Sequence, residues 1–195
     1  MTSTTKTLFF GDSITAGEGL PHPKDERWTV LVSRSLGATE INEGKGGRPS
    51  SALDEFRAVL ENHRVEPEID RFVVALGGND ARSPEPGIAA QVARNVGEMI
   101  DLVRSGATAW KIIVCGPCNI NRAHLQNKAI ADLREKNLLE IDSALQALAD
   151  RKECPFVKFL GVIPHESLSV DGVHPGATGH VALAATFLAS LPKTL

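Results

Sequence analysis

The stretch Leu8-Phe9-Phe10-Gly11-Asp12-Ser13-Ile14-Thr15-Ala16-Gly17 changes its backbone habit half-way along. Its apolar half, with Thr7 in front, predicts a short buried strand over Thr7–Phe10. Gly11-Asp12-Ser13 ends that strand. Asp and Ser are side chains that accept hydrogen bonds from the free N–H groups of a helix start. Ser13 therefore has two readings. It is a small polar residue that opens a helix, or it is a hydroxyl set at a strand end to do chemistry. Either way the chain begins with a strand followed by a helix.

The same unit recurs outward from there. Further strands are expected at Thr39–Asn42, Phe72–Leu76, Lys111–Cys115 and Phe156–Leu160. Helices are expected at Trp28–Leu36, Ser51–His63, Ile88–Arg104, Gln126–Asp150 and Ala177–Leu191. In the longest of these, Ile130, Leu133, Ile141, Leu145 and Leu148 recur at helical spacing, and Arg134, Glu135 and Asp142 fall on other faces. Five strand-then-helix units in series predict a three-layer α/β/α domain over residues 1–195, with a five-stranded parallel sheet. Strands such as Phe72-Val73-Val74-Ala75-Leu76 are apolar throughout, as parallel strands covered on both faces are.

Composition narrows the class. The chain has 195 residues, 42% of them hydrophobic and 23% charged, with a net charge of −3. That balance gives no strong attraction to nucleic acid or to an anionic membrane surface. The polar opening Met1–Thr7 lacks the charged and apolar regions of a secretory signal. No apolar run reaches membrane-spanning length. Three cysteines, an odd number, do not form a disulfide framework. A reducing, cytoplasmic setting and a small-molecule partner are expected. Oligomeric state is left open.

In open α/β sheets ligands bind beyond the carboxyl ends of the strands. Gly11-Asp12-Ser13 follows the first strand and Glu43–Ser50 the second. Gly77-Gly78-Asn79-Asp80 follows the third and Gly116–His124 the fourth. Asp171-Gly172-Val173-His174-Pro175 lies beyond the fifth. A serine hydroxyl is a poor nucleophile unless a base takes its proton. Of six histidines, His174 alone follows an acid within a tight loop. Asp171 and His174 are close enough in sequence to meet within one turn, with the second ring nitrogen left for Ser13. The alternative is that Asp171 caps the last helix and His174 packs beside Pro175. Asn79 offers a neutral N–H donor at the end of a central strand. Gly44, Gly46 and Gly77 read as turn residues, and Asp80 as a local cap.

With these blocks in hand, the chain resembles the SGNH, or GDSL-type, esterases and lipases. Gly11–Gly17 is similar to the family's nucleophile block and Asn42–Gly47 to its second. Leu76–Asp80 is similar to the third and Asp171–Pro175 to the last. The resemblance implies a flavodoxin-like sheet and an acyl-serine mechanism with Ser13, Asp171 and His174 as catalytic residues. It implies an oxyanion hole from the Ser13 N–H, Gly47 and Asn79, and no metal or organic cofactor. Ile14 stands where the family usually has leucine, and Glu18 where an aromatic residue is common. Thr15 occupies the second glycine position of a G-x-S-x-G elbow, so that strained turn is not expected.

The loops framing these blocks are polar and lack a stretch long enough to form a lid. They favour short acyl groups, acetyl above all, on a polar alcohol such as a sugar. Trp28, Leu20 and Ile120 are candidates for some apolar wall. Asp12, Arg48, Arg82 and Arg122 are candidates for substrate binding, the arginines for an anionic or polar leaving group. A lysophospholipase or thioesterase is the alternative within the same fold. Cys115-Gly116-Pro117-Cys118 raises a redox reading from another class, but it follows the fourth strand of a five-unit pattern, the wrong place for a thioredoxin-like fold. Glu43–Ser50 resembles a phosphate loop only loosely, because Gly46 follows Lys45 where Ser or Thr is required. Asp171, His174 and His180 lack a convincing metal-ligand spacing.

Overall fold

In a computed structural model of the protein, which describes residues 5–106, 109–125 and 127–192, five parallel strands form one sheet. They are β1 (Lys6–Gly11), β2 (Thr39–Gly44), β3 (Ile69–Ala75), β4 (Lys111–Cys115) and β5 (Phe156–Val157), in the spatial order β2-β1-β3-β4-β5. This is the flavodoxin-like order, whose switch point lies between β1 and β3. The helices are α1 (Ser13–Ala16), α2 (Pro23–Glu26), α3 (Trp28–Ser35), α4 (Leu53–His63), α5 (Ile88–Ser105), α6 (Lys128–Arg151) and α7 (Ala177–Ser190).

Strand residues alternate between two cores. Leu8, Phe10, Phe72 and Val74 point into the core beneath α4, α5 and α6. Phe9, Val73 and Ile113 point into the other, beneath α3 and α7. Phe9 meets Trp28 edge-on at 5.3 Å, and Trp28 meets Phe159 at 5.2 Å and Phe187 at 5.6 Å. Such aromatic contacts add about 0.5–1.5 kcal/mol each beyond their buried area. They fix Trp28 beside the carboxyl end of β1.

Most expected elements lie within one or two residues of their observed bounds. β5 is the main difference: it stops at Val157 rather than Leu160. It is an edge strand paired only with Val114 and Cys115 of β4, and Phe159 turns inward onto Trp28. β3 begins three residues early, because Ile69 pairs with Lys6. The expected start of the longest helix, Gln126, lies outside the described residues.

That helix, α6, also differs in its faces. Ile130, expected on the apolar face, is 51% exposed, whereas Arg134 and Asp142, expected on other faces, are 9% and 3% exposed. The amino-terminal half of α6 passes over the loop that follows β3. Asn137 there donates to the Ala81 and Ser83 carbonyls, and Arg134 to the Gly78 carbonyl. At that end part of its inner face meets backbone carbonyls, so Arg134 and Asn137 are buried there beside Ala131 and Leu138. Asp142 pairs with Lys158 across 3.4 Å.

Candidate active site

The local chemistry of Gly11-Asp12-Ser13 separates the two readings of Ser13. Asp12, not Ser13, caps α1: its Oδ1 accepts the Ile14 N–H at 3.0 Å. Ser13 is the first helical residue, and its hydroxyl is left for another partner. The strand-to-helix turn is tight. A Cβ on Gly11 would lie 2.1 Å from Thr15 Oγ1, and one on Gly44 would lie 2.3 Å from the Ala16 nitrogen. Only glycine lets the ends of β1 and β2 approach α1 this closely.

The partner of Ser13 comes from the other end of the chain. Ser13 Oγ donates to His174 Nε2 at 2.9 Å, and His174 Nδ1 donates to Asp171 Oδ2 at 2.6 Å. Asp171 does not cap α7, whose N-terminal residue before the helix is Gly176. Its Oδ1 instead accepts from Ser169 Oγ at 2.6 Å and from the Val173 and His174 N–H groups at 2.8 and 3.0 Å. Burial acts to raise the Asp171 carboxyl, but the hydrogen bonds from His174, Ser169 and the two N–H groups outweigh it. They hold it well below the usual carboxylate range. A carboxylate kept ionised on Nδ1 fixes the ring orientation and the tautomer, and leaves Nε2 free to accept a proton.

Beside Ser13 opens a cavity of about 220 Å³. Gly47 and Asn79 line it together with Ser13 and His174. Gly47 has φ +70°, in the left-handed region, and its position faces open space. Asn79 Nδ2 points to the Arg48 carbonyl at 3.2 Å, a long bond that leaves its second proton unassigned. Trp28, Phe159, Ile120 and Leu138 give the cavity its apolar side. Leu20 is buried but does not reach it.

Asp12 and Arg82 also line the cavity, whereas two of the arginine candidates are placed elsewhere. Arg48 is buried under the β1–β2 edge. It donates to the Gly11 carbonyl at 2.7 Å and to the Glu43 carbonyl, and stacks 4.1 Å above Phe10. Its Nε donates to Glu55 at 3.2 Å, so its donors are spent on backbone and on Glu55, and it holds the loop that carries Gly47. Arg122 is exposed and paired with Asp132 and with Glu135. Both of its partners are surface residues outside the cavity. Asp80 accepts the Ser50 N–H and hydroxyl, pinning the Gly47 loop to the turn after β3. His180 is buried and its Nδ1 accepts the Trp28 N–H at 3.1 Å. It is committed to α3 and does not join Asp171 and His174 as a ligand set. Cys115 and Cys118 are both thiols whose burial pushes them well above the ordinary range. A redox Cys-x-x-Cys pair needs the opposite shift.

Two charged residues of the cavity, Glu18 and Arg134, are not among the sequence's candidates for catalysis or binding. Glu18 Oε2 lies 3.8 Å from His174 Nε2. Arg134 reaches the cavity from α6, and only the burial of its helix face reveals it.

Comparison with known proteins places the chain in a family. The GDSL-like lipase/acylhydrolase family model matches residues 9–182, so the chain belongs to that family and is an ester hydrolase. Among solved structures, it is similar to Est24, a carbohydrate acetylesterase from Sinorhizobium meliloti, with TM-score 0.80 and 22% identity over 96% of this chain and 100% of that one. The native M. smegmatis aryl esterase gives TM-score 0.77 and 22% identity over 94% and 96% of the two chains. A lipase/acylhydrolase from Enterococcus faecalis gives 0.75 and 24% over 95% and 94%. At these identities the likeness is one of fold. No curated protein matches the chain. No described helix is long and apolar enough to cross a membrane.

Proposed function

We propose that the chain is a serine esterase that removes short acyl groups, acetyl above all, from small polar alcohols such as sugars. The observation that carries the reading is the continuous relay from Asp171 through His174 to Ser13, at 2.6 and 2.9 Å, on the wall of a small cavity.

In this reading Ser13 Oγ attacks the ester carbonyl carbon while His174 Nε2 takes its proton. The carbonyl oxygen becomes an oxyanion facing the Ser13 and Gly47 N–H groups and Asn79 Nδ2. Collapse of the tetrahedral intermediate breaks the bond to the alcohol oxygen, and the imidazolium returns the proton to that oxygen. Water, deprotonated by His174, then attacks the acyl-serine and releases the acid. Asp171 stays ionised and holds the imidazolium in place.

The acyl preference follows from volume. The cavity, about 220 Å³, lies below the roughly 300–1,000 Å³ of sites for drug-sized ligands. A long acyl chain binds well only where it is covered, each buried CH₂ contributing about 0.8 kcal/mol. Bulky Trp28, Phe159 and Leu138 close the apolar side early. The carbohydrate acetylesterase activity named for the Sinorhizobium meliloti protein supports the polar alcohol. The test is kcat/KM for p-nitrophenyl acetate, butyrate and octanoate, alongside an acetylated sugar. The expected order falls from acetate to octanoate. Values that climb along the series defeat the reading in favour of a lysophospholipase.

A further inference from the structure

Arg134 is a charge that the relay does not use. It lies on α6, is 9% exposed, and lines the cavity. Its Nη2 donates to the Gly78 carbonyl at 3.3 Å, and its Nε is buried with no hydrogen-bond partner. Among the described residues no carboxylate lies within ion-pair distance of it. Arg82, in the short turn after Asn79, lines the same cavity, and its guanidinium has no partner among the described residues.

Such an arrangement is costly. A buried cation without a counter-ion in contact loses hydration, and one long bond to a carbonyl replaces only part of it. Two guanidinium groups facing one cavity also repel. Burial, and then the charge of Arg82, both pull the Arg134 guanidinium below its ordinary range. Asp12 and Asp171 attract it across the cavity, but neither reaches ion-pair distance nor offsets the burial. Asp171 is committed to His174, and Asp12 to the Ile14 N–H. Glu18 stands beside His174, 3.8 Å from Nε2.

Arg82 and Arg134 flank the turn Gly78-Asn79, and Asn79 faces the reacting carbonyl in the proposed mechanism. A group held by the two guanidiniums therefore lies within a few atoms of the ester. We infer that Arg134 and Arg82 form an anion subsite, so that the preferred ester carries a carboxylate or phosphate group close to its scissile bond. A planar guanidinium binds either group through paired N–H donors. This rests on the esterase reading of the cavity, and it adds the charge of the substrate to it.

The test compares matched esters by acetate release: acetoxyacetate with acetoxyacetamide, and 1-acetylglycerol 3-phosphate with 1-acetylglycerol. The anionic member of at least one pair is expected to win in kcat/KM by roughly 10- to 100-fold, the range one or two charge-assisted hydrogen bonds carry. Which pair shows it tells carboxylate from phosphate. Arg134→Met, which keeps the length of the chain without its charge, is expected to collapse that ratio, mainly through KM. Arg82→Ala, at an exposed position, lowers it less. Arg122→Ala, outside the cavity, leaves it as it is. A ratio at or below one in both pairs overturns the subsite, as does a ratio that Arg134→Met and Arg82→Ala both leave intact.

A second measurement does not depend on turnover. Inorganic phosphate is expected to raise the melting temperature of the Ser13→Ala protein, and Arg134→Met in that background to abolish the rise. Equal protection of both proteins overturns the subsite. If p-nitrophenyl acetate is hydrolysed but neither anion effect appears, the subsite fails and the esterase stands. Protection by phosphate without ester hydrolysis is the reverse case.

Discussion

Asp12 is the residue whose replacement should make the protein more stable and a poorer enzyme. The residue is 7% exposed. Burial raises its carboxyl from 3.8 to about 6, against the opposing pull of the Ile14 and Thr15 N–H groups, His174 and Arg134. The folded state thus holds the Asp12 proton more tightly than the unfolded chain does. Between pH 4 and 6 the folded form binds more protons, so this group's contribution to stability falls as pH rises. Asn resembles the protonated acid and keeps the oxygen that accepts the Ile14 N–H. Asp12→Asn should therefore be more stable than the parent by about 3 kcal/mol at pH 7, shrinking to about 0.5 kcal/mol at pH 4. For a chain of this size that is a rise in Tm of roughly 6–12 °C at pH 7. Thermal unfolding followed by circular dichroism at both pH values measures it, with kcat for p-nitrophenyl acetate recorded alongside. The charge lost is one that attracts both Arg134 and the His174 imidazolium, so kcat should fall. An equal gain at pH 4 and pH 7, or none at pH 7, would refute the argument.

Other outcomes follow from the same geometry. Ser13→Ala should lose ester hydrolysis by several orders of magnitude, and a fluorophosphonate should label Ser13 in the parent only; labelling elsewhere in the variant at full yield speaks against Ser13. Asn79→Ala should lower kcat on the order of 10²–10³, as loss of one oxyanion donor does; a change in KM alone makes Asn79 a ground-state binder. His180 is fully buried and burial lowers it to about 4, so its contribution is complete above pH 6.5 and is lost as pH falls toward 4, by about 3 kcal/mol. His180→Gln should therefore lose less stability than the parent between pH 6.5 and 4; an unchanged difference across that window contradicts the assignment.

How much of this was legible in the sequence depends on the range over which each signal acts. Strands and helices announce themselves over a few residues. The runs Leu8-Phe9-Phe10 and Phe72-Val73-Val74 are apolar because both faces of a parallel strand are covered, and the cores on the two sides bear that out. The blocks at the strand ends are local as well: Asp12 caps the turn that presents Ser13, and Asp171 shapes the turn that presents His174. Their juxtaposition, 161 residues apart in the chain, follows once the sheet order is fixed. The arginines are different. Arg48, Arg82 and Arg122 all stand near strand ends, and nothing local tells a guanidinium bound to carbonyls from one paired on the surface or one facing a cavity. Arg134 is further still from any motif. Helical periodicity assigns it to an outer face, because periodicity assumes that the inner face is apolar. Where α6 crosses the loop after β3 it packs on backbone carbonyls, and there a charged residue is the inward one. A polar residue that breaks a helix's apolar stripe at the carboxyl edge of a sheet thus marks either a carbonyl to be satisfied or a ligand to be held. Arg134 does the first with Nη2, and its unpartnered Nε points to the second.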